Sequence, residues 1–166
     1  MNEYINKKTN KKTPLLLAAL SLLGLLLMSA SAWADRYSYS TDGSQVIDST
    51  TGLTWQRCVA GMSWSGTTCA GTAATYSHEA ALAYAKTQTG WKLPNIKELA
   101  SIVDRTRSNP AIDTTAFPAT PADRTWSASP YAGTSVSAWV VGFNEGYVGV
   151  NLRDNTFYVR LVRAGQ

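Results

Sequence analysis

Apolar and polar positions are arranged in three successive ways along this chain. From Leu15 to Met28 the residues are apolar, interrupted only by Ser21 and Gly24. From residue 36 to 57 the runs "RYSYS", "QVID" and "LTWQR" are separated by the turn signals "TDGS" and "STTG", a spacing that predicts short strands joined by tight turns. Residues 76–88, "YSHEAALAYAKTQ", then bring Ala81, Leu82, Tyr84 and Ala85 to helical spacing. Thr75 or Ser77 can cap the start of this helix, and Gly90 is placed to end it in the left-handed conformation. His78, beside Glu79 in the first turn, is expected at a solvated helix position.

The next stretch, "TGWKLPNIKELASIVD", compresses several signals. Pro94 has no N–H and biases Leu93 towards extended backbone. Asn95 is a good N-cap, and Glu98 is spaced to return a bond to the cap's own N–H. A second helix therefore starts at once, with Leu99, Ile102 and Val103 on one side, while Trp91 and Leu93 are expected in the core between the helices. Residues 105–125 are punctuated by Asn109-Pro110, Phe117-Pro118 and Thr120-Pro121 and read as irregular. "TWSASP" is a short strand or turn. "SAWVVGF", "YVGVNL" and "TFYVRLVR" then form an antiparallel set joined by the turns "NEG" and "RDN". Trp139, alternating with Val141 and Phe143, is expected in the core, and Arg160 as a structural ion-pair partner. Strands, two helices and strands again predict an α+β domain with an antiparallel sheet.

Charge changes the meaning of the first segment. Lys7, Lys8, Lys11 and Lys12 precede the apolar run, and Ala32 and Ala34 follow it at cleavage-site spacing. Residues 1–34 thus read as a secretory signal peptide, shorter in its apolar part than the roughly 20 residues of a membrane span. Residues 35–166 are expected to be a single exported domain, periplasmic or at the cell surface, with no membrane span after cleavage. The whole chain has 15 Lys plus Arg against 11 Asp plus Glu, but residues 35–166 hold 11 and 10. Near-neutrality removes the electrostatic case for nucleic-acid binding. Export also makes a Cys58–Cys69 disulfide the expected state across the Gly/Ser/Thr-rich loop "VAGMSWSGTT". A metal pair is the alternative, weakened by a single His in the chain.

Catalytic patterns are sparse, so no catalytic residue is expected. "GMSWSG" misplaces Ser for a nucleophile elbow, and no Gly-rich loop opens a helix to hold a nucleotide. No cofactor is called for. Calcium has only the pairs Asn144/Glu145 and Asp154/Asn155, residues that hairpin turns use anyway, so no metal site is assigned.

The ordered set "STTGLTWQRC", "GWKLPNIKEL", "NPAID", "FP", "TWSASP" and "FYVRLVR" resembles the C-terminal domain of the Legionella collagen-like proteins, from about Val46 to Arg163. The resemblance implies a C-type lectin-like fold, with two helices packed on a small twisted antiparallel sheet and long loops. It also implies binding of sulfated polymers of the glycosaminoglycan type. The collagen repeats that trimerise those adhesins are not in this sequence.

Together these readings predict a non-enzymatic binding module for an extracellular partner, an anionic glycan or a surface protein. Eight of the 11 basic residues after position 34 are Arg, whose fork matches sulfate and carboxylate. The candidate ligand-binding residues are Arg124, Trp126, Tyr131, Asn144, Glu145, Tyr147, Arg153 and Asn155: arginines, aromatics and turn acid or amide residues. Two alternatives stand beside this reading. One is an accessory component of a pilus-like appendage. The other is an enzyme distantly related to the formylglycine-generating group, which would need reactive cysteines.

Overall fold

In the computed structural model, which describes residues 35–165, the turns fall where Gly can take a positive φ. Gly43, at φ +72°, joins β1 (Tyr37–Tyr39) to β2 (Gln45–Asp48), and Gly52, at φ +68°, joins β2 to β3 (Leu53–Gln56). These strands pair in the order β1-β2-β3 and are completed by β11 (Val162–Ala164), which runs beside β3. The proposed signal peptide, residues 1–34, lies outside the described residues.

The loop between the cysteines is not irregular. Cys58 and Cys69 are bonded, and β4 (Met62–Trp64) with β5 (Cys69–Gly71) makes a hairpin within and beside it. After β6 (Thr75–Tyr76), Ser77 caps α1 (His78–Thr87) through its side chain on Ala80 N–H. The helix stops at Gln88, two residues before Gly90, so Gly90 is not its cap. Asn95 and Glu98 form the expected capping box at α2 (Ile96–Ala100), an arrangement that offsets two of the orphan N–H groups of a short helix.

A second sheet has the order β6-β10-β7-β8-β9, with β7 at Arg124–Pro130, β8 at Ser137–Gly142, β9 at Tyr147–Leu152 and β10 at Phe157–Tyr158. The single antiparallel sheet expected from sequence is therefore two larger sheets and a small hairpin sheet. One pair is parallel, with Tyr158 opposite Thr125. The run "TFYVRLVR" supplies two strands in different sheets. Its middle, Val159–Arg160–Leu161, is buried throughout and crosses between the sheets. Ala60 N–H donates to Val159 O and Gln56 N–H to Leu161 O along that crossing.

Two apolar clusters follow from this layout. Val46, Trp55, Leu99, Ile102, Ile112, Phe117, Val141 and Val162 pack against the first sheet and α2. Ala81, Ala85, Leu93, Trp126, Val140, Phe157 and Leu161 pack between the second sheet and α1. Adjacent Val140 and Val141 enter different clusters, so β8 is buried on both faces and its sequence shows no alternation. Burying a side chain such as Leu99 completely contributes about 2 kcal/mol.

Three expectations for single side chains change. His78 is 1 % exposed, with Nε2 3.0 Å from Ser127 O and its ring edge-on to Trp126. The first turn of α1 packs on β7, which a single-helix reading could not reveal. Arg160 is buried, with no carboxylate partner among the described residues. Its guanidinium donates to the carbonyls of Gln56 and Arg57 and to Thr120 Oγ1, and lies over the Phe117 ring. Burial pulls its pKa down to about 9. The buried carboxylate is instead Asp48, held by two bonds from Arg36 at 2.9 and 2.7 Å. Trp139 is half-buried rather than core, with its ring edge-on to Tyr131.

Candidate functional site

The second sheet separates the residues expected to form one binding surface. Arg124 pairs with Gly142, and Gly142 with Tyr147, so Arg124, Asn144, Glu145 and Tyr147 gather at one end. Pro130 pairs with Ala138 and Ser137 with Leu152, which puts Tyr131, Arg153 and Asn155 at the other. At about 3.3 Å per residue the six residues of β9 hold the two groups roughly 15–20 Å apart. Trp126 belongs to neither. It is completely buried, with its indole N–H on Tyr76 O at 2.8 Å, because its β7 position faces α1. Tyr147 lies against Gly142 and Gly149, where a Cβ would meet its ring. Arg153 Nε donates to Ser137 O, and Asn155 Nδ2 to Asn151 Oδ1. The two acid-amide turns, Asn144/Glu145 and Asp154/Asn155, sit at opposite ends of β9 and cannot combine around one cation. Among the described residues no group of three His, Cys, Asp or Glu could hold a metal.

Two clefts have more depth. The larger, of about 890 Å³, is bordered by Arg36, Tyr37, Asp104 and Asp113. Three of the charged groups around it are engaged within the fold, while Arg105 also lines it. Arg36 is held by Asp48 and Ser101 O, Asp104 receives bonds from Thr106 and Arg107, and Asp113 caps Thr115 and Ala116. Burial pushes the Tyr37 phenol up to about 12.

The second cleft, of about 400 Å³, lies between β2, β3, the β4–β5 hairpin and α1. Trp64, Tyr84 and Trp91 supply aromatic walls; Gln45, Gln56 and Gln88 supply amides; no Asp or Glu lines it. Hairpin register sets Gln45 opposite Gln56. Tyr84 stacks on Tyr76 at 5.1 Å, and burial raises its pKa above the ordinary tyrosine value. Gln45 Oε1 accepts from Arg163 and Gln88 Nε2 donates to Thr87 Oγ1, so the other end of each amide keeps its bonding capacity.

Two arginines border these walls. The Arg57 guanidinium is 3.9 Å above the Trp64 ring and donates to the carbonyls of Gly43, Thr115 and Ala116. Arg163 lies 5.0 Å over Trp91, and its Nε is buried without a hydrogen-bond partner. Neither has a carboxylate within ion-pairing distance among the described residues. The cleft therefore combines aromatic rings with amide donors and acceptors, and two arginines lie over two of its rings without lining it. Such a set suits a polar ring bearing hydroxyls and an anionic group.

Sequence reasoning missed this cleft. The Gln45/Gln56 pairing was readable from the "QVID-STTG-LTWQ" hairpin. Its meeting with α1 and the disulfide-bounded hairpin depends on tertiary packing.

The model of the family described as the Lcl C-terminal domain matches residues 44–163. No curated protein and no solved structure matches the chain.

Proposed function

Because the chain belongs to the Lcl C-terminal domain family, we propose that it is an exported, non-enzymatic binding module whose glutamine-lined cleft takes an anionic glycan. The observation that carries this reading is the convergence of Trp64, Tyr84 and Trp91 with Gln45, Gln56 and Gln88 beside two arginines that have no carboxylate partner. Ring faces take the apolar side of a sugar, amides take its hydroxyls, and Arg forks take sulfate or carboxylate. Export is supported by the Cys58–Cys69 bond. Among the described residues no helix is long and apolar enough to cross a membrane. The formylglycine-generating alternative would need reactive cysteines, and Cys58 and Cys69 are bonded to each other. We also read the fold as C-type lectin-like. Two helices and the return of β11 beside β3, close to β1 and β2, support that reading.

The test is binding of the purified protein to sulfated and unsulfated forms of one polysaccharide at low and high salt. The sulfated form binds more tightly, and salt weakens it by screening. Gln56→Ala weakens binding roughly tenfold, the worth of about one hydrogen bond, without lowering the melting temperature. Full affinity in Gln56→Ala and Arg163→Ala would move the ligand out of this cleft. No binding to either polymer would reject the glycan reading.

A further inference from the structure

The two main sheets end in strands of unequal kinds. In the first, β1 and β11 have three residues each, and β11 is bridged by Lys92, which exchanges two backbone bonds with Val162. In the second, β6 has two residues, whereas β9 has six in unbroken register with β8. A long, straight edge is a template for another strand unless charge, proline, a bulge or a covering loop blunts it. "YVGVNL" has no charge and no proline, and no bulge interrupts its pairing. Its alternate side chains Val148, Val150 and Leu152 are 40 %, 36 % and 55 % exposed, and Val136 is held beside its end by the bond from Arg153 N–H. Four of the six exposed large apolar side chains among the described residues thus lie on this strand or next to it.

The same face continues inward. Val150 is opposite Trp139, and Trp139, Val148, Ile96, Ala100 and Lys97 line a shallow hollow of about 240 Å³. Among the described residues no strand pairs with the outer backbone edge of β9.

We propose that β9 is a self-association edge, and that its occupant is β9 of a second copy of this chain, antiparallel about a two-fold axis at Val150. An isologous contact requires a patch that complements itself. Antiparallel pairing about Val150 sets Val150 against Val150 and Val148 against Leu152, so one unbroken apolar row of six side chains runs across the seam. Charges agree with this register. Glu145 falls opposite Asn155 and Arg153 opposite Tyr147, so no like charges face each other. The seam joins two five-stranded sheets into one of ten strands. Two six-residue strands cover less area than the roughly 1,200 Å² of a standard interface, so the dimer is a weak, reversible one that forms as concentration rises.

Sedimentation velocity of the purified protein over a hundredfold concentration range tests this. The expected result is a monomer that converts to a dimer. Val150→Lys and Val150→Glu each place like charges at the two-fold, and each remains monomeric over the same range. Mixing the two restores the dimer, because the charges at the axis are then opposite. Circular dichroism melts establish that each variant is folded. If either variant is not, Leu152→Lys and Leu152→Glu replace the pair. For these, each homodimer sets two altered side chains against Val148, one on either side of the axis, and both variants lose affinity; a dimer that keeps full affinity in them overturns the proposal. A wild-type protein that stays monomeric throughout overturns the proposal and leaves the edge to a strand of another protein. A dimer that survives Val150→Lys, or one that the mixture does not restore, overturns it as well.

Discussion

Removing the Cys58–Cys69 bond tests how the wall of the cleft is held. Its cysteines are 11 residues apart with Cα atoms 5.5 Å apart. Closing so short a loop in the unfolded chain is worth about 3 kcal/mol in the chain-entropy model. The double variant Cys58→Ser/Cys69→Ser leaves no free thiol and changes little volume. For a domain of this size about 3 kcal/mol corresponds to a melting midpoint lower by roughly 10 °C. The loss has a local component, because β4 and β5 pair only with each other. What else ties the hairpin down is the Arg57–Trp64 stack and the bonds of Ala60 N–H to Val159 O and Ala74 N–H to Ala60 O. Trp64 therefore gains freedom, and affinity for a sulfated polysaccharide falls more than that of a variant equally destabilised elsewhere. The assay is thermal melting by circular dichroism, paired with calorimetric binding well below the midpoint. An unchanged midpoint would refute the reasoning, since those contacts would then suffice without the cross-link. A lowered midpoint with unchanged affinity would separate the bond from the cleft.

Asn95→Ala removes one half of the capping box at α2 and lowers stability by about 1 kcal/mol, read as a lower melting midpoint. His78 gives a pH dependence. Burial, with a smaller contribution from the charge of Arg153, lowers its pKa, while the Ser127 carbonyl acts the other way. The unfolded chain therefore takes up the proton more readily than the folded one. The stabilisation is complete above about 6.5 and declines as pH falls below it, so the midpoint drops between about pH 7.5 and pH 5. His78→Gln, which keeps a donor for Ser127 O, flattens that slope. Arg160→Met leaves the Gln56 and Arg57 carbonyls and Thr120 Oγ1 without their donor in a buried site, and costs about 3 kcal/mol or more in chemical denaturation.

What the sequence determined by itself was local. The Asn95/Glu98 box, the Ser77 cap, the glycines at the β1–β2 and β2–β3 turns and the bounds of β2 and β9 all follow from interactions within a few residues. The cysteine pairing was readable from spacing and expected compartment. Ordered motifs along most of the chain pointed to the family that the match over residues 44–163 establishes. Tertiary structure alone decided the rest. The run 156–163 has strand composition throughout, yet Val159–Leu161 leaves one sheet for another because partners on both sides bury it. Trp126 and Trp139 are on neighbouring strands with similar local patterns. One is sealed under α1 and the other stays half-open beside α2, a difference set by which helix covers which face. Closeness in sequence predicts one surface for the arginines and aromatics near the C-terminal turns, but β8 and β9 hold them at opposite ends of a sheet. The cleft draws Gln45 and Gln56 from one hairpin, Trp64 from another, and Tyr84, Gln88 and Trp91 from in and after a helix. No local periodicity encodes such a meeting, because the energy that creates it comes from burying the shared cores on which those elements rest.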